Sequence, residues 1–240
     1  MKYRKEIDGL RALALLPVIL FHAGFTTFSG GFVGVDIFFV ISGYLITTII
    51  ADEMDKGSFS LLNFYERRAR RILPALFFVM LCSLPFAWFW MLPQDLKSFS
   101  QSLVAVPLLA SNILFWLTSG YFDNASELKP LLHTWSLALE EQYYVLFPVF
   151  LMLAWELGKK WIISLLALLA IISVLFAQWG STMYPSFTFY LLPTRAFEIL
   201  IGTLISLYIN HKQIIIPASQ SVVSHSLSLA GLVLVLFAIF

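Results

Sequence analysis

Long apolar stretches separated by short polar connections run through the whole chain. A membrane-crossing helix needs about 20 mostly apolar residues. By that measure the pattern predicts helices over 10–28, 32–50, 72–92, 136–157, 161–179, 187–209 and 226–240. One further stretch, 98–118, is apolar on average but carries Ser98, Ser100, Gln101, Ser102, Pro107, Ser111 and Asn112. The expected fold is therefore all-α: a polytopic transmembrane helix bundle of about seven spans, plus one interfacial or re-entrant segment. The last stretch ends at Phe240 with no flanking charge. It is short for a crossing, so the expectation is a bundle cut off at its C-terminal end.

Basic residues near span ends set the orientation. Lys2, Arg4 and Lys5 place the N-terminus on the cytoplasmic side, and the basic stretch 51–71 returns there after two spans. If 98–118 does not cross, Lys159, Lys160, His211 and Lys212 also fall inside, and the polar segment 119–136 falls outside. The N-terminus resembles the basic end of a signal peptide only in part. Asp8 and Arg11 interrupt it and no small-x-small cleavage site follows, so the first helix is expected to be retained.

Composition agrees with this picture. The 240 residues are 60% hydrophobic and 12% charged, with a mean hydropathy of +0.86. Soluble domains are nearer 45–50% apolar and about 25% charged. The net charge of +1 gives no basis for binding nucleic acid. A single cysteine, Cys82, excludes an intrachain disulfide or a cysteine-based metal site, and no metal centre is expected.

Charge inside the apolar stretches is the feature that points to chemistry, because ionisable groups in a membrane are costly and usually face a protein interior or a water-filled path. Arg11 and His22 share one face of the first helix, about 16 Å apart along its axis. Imidazole is suited to moving a proton near neutral pH. The alternative reading has Arg11 snorkelling to the interface and His22 bonding a neighbouring carbonyl. Asp36 enters the second span after a Gly-Gly turn and needs a partner, for which Arg11 and His22 are candidates. Arg67, Arg68, Arg70 and Arg71 precede the third span. Guanidinium forks suit phosphate, while a basic block beside a span also serves as a topology signal or a contact to anionic lipid.

The segment from His133 to Tyr144 is the densest polar cluster. His133, Trp135 and Ser136 are candidates for substrate binding. Glu140 and Glu141 cannot both point the same way, so one is expected to face the interior, where it can orient an imidazole or bind a sugar hydroxyl. An N-terminal helix anchor explains the same residues without chemistry. Arg195 and Glu198, three apart in the sixth span, read as an intrahelical ion pair.

Taken in order, Asp8-Gly9-Leu10-Arg11-Ala12, Phe21-His22-Ala23-Gly24, the run Gly31 to Ile46, the block Arg67 to Pro74, and the run His133 to Tyr143 resemble the bacterial acyltransferase-3 family of integral membrane O-acyltransferases. Arg195-Ala196-Phe197-Glu198 looks like a later motif of that family. The wording is most like the branch that carries a C-terminal extracytoplasmic SGNH domain. The resemblance implies a domain over residues 1–240, incomplete at its C-terminal end, in the bacterial inner membrane. It implies acetyl-CoA or another acyl-CoA as a donor substrate drawn from the cytoplasm, with no tightly bound cofactor. The implied acceptor is a hydroxyl of an envelope glycan: lipopolysaccharide O-antigen, peptidoglycan or exopolysaccharide.

On this reading the arginine block grips the CoA phosphates. His22 serves as base or acyl relay, Asp36, Glu140 or Glu141 orients it, and Arg11 stabilises developing charge. The chain departs from the family in having fewer helices and no SGNH domain within its 240 residues. Two other classes remain: a proton-coupled transporter, for which paired broken helices in two halves would speak, and an inactive truncated fragment.

Overall fold

The computed structural model describes residues 5–119, 129–211 and 222–240. Lys2, Arg4, Lys212 and half of the polar segment 119–136 lie outside these residues. The described part is helical, without strands: α1 Lys5–His22, α2 Gly34–Asp55, α3 Leu61–Trp90, α4 Pro93–Ala105, α5 Ser111–Leu117, α6 Thr134–Ala154, α7 Lys159–Met183, α8 Pro185–Tyr190, α9 Leu192–His211 and α10 Val222–Ile239. Helices satisfy their own backbone, which is why apolar segments of this length take that form in lipid.

Among the described residues, five helical segments are long and apolar enough to cross a membrane: Gly31–Asp55, Leu61–Trp90, Thr134–Leu157, Lys159–Met183 and Pro185–Ile209. The expected seven is thus approximate. Helix α1 has only 18 residues and carries Lys5, Glu6, Asp8 and Arg11, giving a rod of about 27 Å. The expected span 10–28 ends at His22, and the chain turns through Gly24 (φ +84°) into a short 3-10 turn, Thr26–Phe28. The segment 226–240 lies within α10, whose apolar part, His225–Ile239, is also short.

Three further boundaries differ from the hydropathy pattern. Helix α3 starts at Leu61, not residue 72. Ser60 caps it by accepting the Asn63 amide, so helix begins wherever the backbone is capped rather than where polarity falls. The stretch 98–118 does not form one helix. It is split between α4 and α5, and Leu109 at the break adopts φ +56°. The stretch 187–209 is interrupted at Leu191, between α8 and α9.

The chain divides into two compact units, Met1–Ala51 with Glu198–Phe240, and Asp52–Phe197. In the first unit, Ala14 and Pro17 are the buried residues of α1, and their carbonyls lie against the backbone of Gly31 and Gly34. Helices α2 and α9 pack at their small residues. A side chain at Gly43 would collide with the Ile199 carbonyl, and one at Gly202 with the Val40 carbonyl. This close approach brings hydroxyls together: Thr47 donates to Thr203 at 3.1 Å, and Thr48 pairs with Ser206 at 2.8 Å. Small residues and interhelical hydroxyl bonds are the usual means of joining helices in lipid, where apolar burial offers no net drive.

In the second unit, α3, α4 and the residues before α6 form an apolar cluster of Leu76, Met80, Ala87, Phe99, Val106 and Leu131. Helix α6 is the most enclosed of the crossing segments, with half of its apolar window buried. It carries the residues from which the candidate site is built.

Candidate functional site

In the first unit, Arg11 and His22 lie on one face of α1, about 100° round the helix from the buried Ala14 and Pro17. His22 is exposed, and its Nδ1 lies 2.8 Å from the Val18 carbonyl, one helical turn back. A carbonyl can only accept, so Nδ1 carries the proton and the lone pair of the neutral ring sits on Nε2. The edge of Phe21 meets the imidazole at 5.1 Å. Arg11 is half-buried. Asp36 is half-buried in the first turn of α2, directly after the Gly31–Val33 turn that packs on α1.

The arginine block lies in the second unit, on helix α3 and not in a loop. Its members have separate fates. Arg67 reaches Glu53 at 2.9 Å, and Arg70 reaches Glu66 at 2.6 Å on an exposed face. Arg68 turns inward: its Nη2 meets Glu141 Oε1 at 2.6 Å, with the two side chains only 16% and 10% exposed. The same guanidinium lies 4.2 Å from the centre of the Tyr144 ring. Tyr144 donates its hydroxyl to Glu140 at 2.6 Å, and Tyr65 on α3 donates to the Val145 carbonyl at 2.7 Å. Arg71 is exposed and forms no ion pair among the described residues.

Of the four arginines expected to face phosphate, Arg68 is the one that lies against a carboxylate inside the bundle. Burial of Glu141 demands a cation, and Arg68 is the one within reach. The expectation that one of the two adjacent glutamates faces inward also takes definite form. Glu141 is buried against Arg68, and Glu140 serves Tyr144 on the next turn.

At the head of α6, Trp135 is buried and packs on Phe189 with ring centres 4.6 Å apart and on the edge of Tyr190 at 5.8 Å. Arg195 lies over both rings, 5.9 Å from Trp135 and 5.2 Å from Phe189, and its Nε donates to the Phe189 carbonyl at 3.3 Å. Arg195 is thus part of an aromatic box, a role its spacing from Glu198 did not indicate. Ser136 donates to the His133 carbonyl at 3.2 Å, so these two candidate substrate-binding residues are joined within the first turn of α6.

Sequence reasoning missed the amide pair Asn112 and Gln142. Gln142 on α6 donates to the Leu109 carbonyl at 2.8 Å and to Asn112 Oδ1 at 2.9 Å. Asn112, almost fully buried, donates to the Tyr190 carbonyl at 3.0 Å. Leu109 sits at the α4–α5 break and Tyr190 at the α8–α9 break. The two amides therefore satisfy carbonyls that broken helices leave open, as non-helical backbone in a membrane protein requires. The signal was present: an asparagine in an apolar stretch needs a partner.

These features define a polytopic helical membrane protein in which Arg68, Glu141, Asn112 and Gln142 lie at helix contacts and helix breaks. A family model described as an acyltransferase domain, acyltransferase-3, matches residues 4–240, and the chain belongs to that family. It is 36% identical over 246 residues to the peptidoglycan O-acetyltransferase OatA of Listeria monocytogenes, covering 98% of this chain and 38% of that protein. It is 35% identical to YrhL of Bacillus subtilis, provisionally named a peptidoglycan O-acetyltransferase, covering 94% of this chain and 36% of the relative. With the O-acetyltransferase OatA of Staphylococcus aureus it shares 40% identity over 151 residues, 62% of this chain and 24% of that protein. The matches thus span from about a quarter to little more than a third of the length of these relatives. No solved structure gives a significant match.

Proposed function

We propose that this chain is the membrane part of an O-acyltransferase of the bacterial inner membrane. It moves an acetyl group from cytoplasmic acyl-CoA to a hydroxyl of an envelope glycan. Peptidoglycan is the acceptor class best supported, because it is named for the relative that matches nearly the whole chain. The N-terminus faces the cytoplasm in this reading.

The observation that carries the chemistry is the tautomer of His22. With Nδ1 held by the Val18 carbonyl, the neutral ring carries its lone pair on Nε2. Nε2 takes the proton of the acceptor hydroxyl as its oxygen attacks the thioester carbonyl carbon. The C–S bond then breaks, the imidazolium returns the proton to the departing sulfur, and free CoA and an ester result. Val18 thereby does the orienting that a carboxylate performs in other sites. Arg11, on the same face but about 16 Å along the helix axis, offsets the negative charge of the donor. Arg71, with Arg67 and Arg70 exchanging their surface carboxylates, meets the CoA phosphates. Arg68 acts on these only indirectly, by holding α3 to α6.

The test uses membranes containing the chain, labelled acetyl-CoA and host envelope glycan, and follows label into alkali-labile ester. Label is expected with the intact chain and is expected to vanish with His22→Ala and His22→Gln while both variants still insert. Equal labelling by the His22 variants would overturn the role of His22. No label from the intact chain would overturn its assignment as a self-sufficient transferase.

A further inference from the structure

The second unit holds a pocket of about 510 Å³ that no step above uses. Its walls are Trp116 at the end of α5, Phe176 and Trp179 in the last turns of α7, and Tyr184, Ser186 and Phe187 where the chain turns into α8. The volume falls within the roughly 300–1,000 Å³ of small-molecule sites.

The rings stand at varied angles. Phe176 and Trp179 are stacked with nearly parallel planes, 8° apart with centres at 5.5 Å. Phe187 meets Phe176 edge-on at 5.6 Å, and Trp116 meets Phe187 edge-on at 5.7 Å. Tyr184 leans on Trp179 at 5.7 Å. In a chain rich in leucine and isoleucine, none lines this space.

Resting on the acyl-transfer reading, we propose that this pocket is an acceptor subsite holding one hexopyranose ring of the envelope glycan. The flat faces of a pyranose carry C–H bonds polarised by the neighbouring oxygens. Aromatic faces are negative, and they attract such positive hydrogens as they attract cations. Sugar hydroxyls point outward from the ring and need partners, which the Tyr184 and Ser186 hydroxyls supply. A flexible alkyl chain uses neither feature, and branched aliphatic side chains would fill around it better.

Access and position agree with this assignment. Trp179 and Tyr184 are 51% and 57% exposed, so the pocket opens outward. Helix α8 also joins it to the candidate acceptor motif. Phe187 lines the pocket, and two residues on, Phe189 and Tyr190 pack against Trp135.

The test places the chain in lipid nanodiscs and titrates it with soluble glycan strands released from peptidoglycan. Calorimetry gives affinity, and saturation-transfer NMR identifies the protons in contact. Saturation is expected on pyranose C–H groups. Trp116→Leu and Trp179→Leu are each expected to weaken binding about tenfold or more, and Trp179→Phe, which keeps a ring and the fold, to weaken it less. Unchanged affinity in both leucine variants overturns the proposal. So does saturation confined to N-acetyl methyls on the unaltered chain, or displacement of the glycan by a long-chain phospholipid. The two readings separate in the result. Glycan binding that depends on these tryptophans without ester formation refutes acyl transfer alone. Ester formation with glycan binding indifferent to them refutes the subsite alone.

Discussion

The pairing of Arg68 with Glu141 allows a quantitative test of how α3 is held to α6. Their charges meet at 2.6 Å with both side chains largely enclosed. At an effective dielectric near 20, unit charges about 4 Å apart attract by about 4 kcal/mol. Desolvating both groups costs several kcal/mol per ion, so the intact pair contributes little net stability. Breaking it is a different matter, since the surviving charge is left buried and uncompensated, at a cost of about 3–5 kcal/mol.

Glu141→Gln sits at the low end of that range, because Arg68 keeps the Tyr144 ring 4.2 Å away, and a desolvated cation–π contact contributes about 2 kcal/mol. Arg68→Ala sits at the high end, because Glu141 keeps no cation. The double variant Arg68→Met with Glu141→Leu removes both charges and fills the space with apolar atoms. It is expected to be more stable than either single variant. The assay is reversible unfolding in maltoside micelles with a rising fraction of dodecyl sulfate, followed by tryptophan fluorescence. Losses that simply add in the double variant would refute a coupled buried pair. Full stability of Arg68→Ala together with lost acyl-CoA affinity would return Arg68 to the phosphate-binding set.

Other consequences follow from single contacts. Arg71→Ala is expected to leave unfolding unchanged and to weaken acyl-CoA binding about tenfold, since a hydrogen bond to a charged group contributes about 1.5–3 kcal/mol; equilibrium binding of labelled donor measures it. Gln142→Leu strands the Leu109 carbonyl and the Asn112 amide. At about 1–3 kcal/mol for each unsatisfied group, a loss of about 2–6 kcal/mol is expected in the same micelle assay. Gly202→Val drives the added Cβ into the Val40 carbonyl. Overpacking of this kind costs about 1–3 kcal/mol, and the separation of α2 from α9 is readable as increased cysteine labelling of a Thr47→Cys probe.

The helical class, the membrane setting and the family were legible in the order of residues. Apolar runs near the thickness of a bilayer admit few structures other than helices, and the Arg11, His22 and His133–Tyr143 segments are local strings that need no fold to be read. Even the failure of 98–118 to form one helix was visible in its serines, Pro107 and Asn112. Its break at Leu109 was not, because leucine carries no preference for a left-handed backbone and is held there by Gln142 from another helix. Nor was the start of α3, since hydropathy registers the apolar residues from 72 onward and is blind to a capped, charged first third.

The side-chain partnerships belong to the tertiary structure. Four arginines within five positions look equivalent along the chain, yet helix geometry spreads them over a wide arc. Only Arg68 then faces α6, where Glu141 lies buried. The contrast has one physical source. Periodicity and transfer energy are properties of a segment and its solvent, so sequence alone determined the helices and the lipid around them. Hydrogen bonds and ion pairs between residues 30 to 80 positions apart exist only once helices have docked. The fold therefore decided which charge is enclosed against a partner, as Arg68 is, and which, like Arg71, stays exposed.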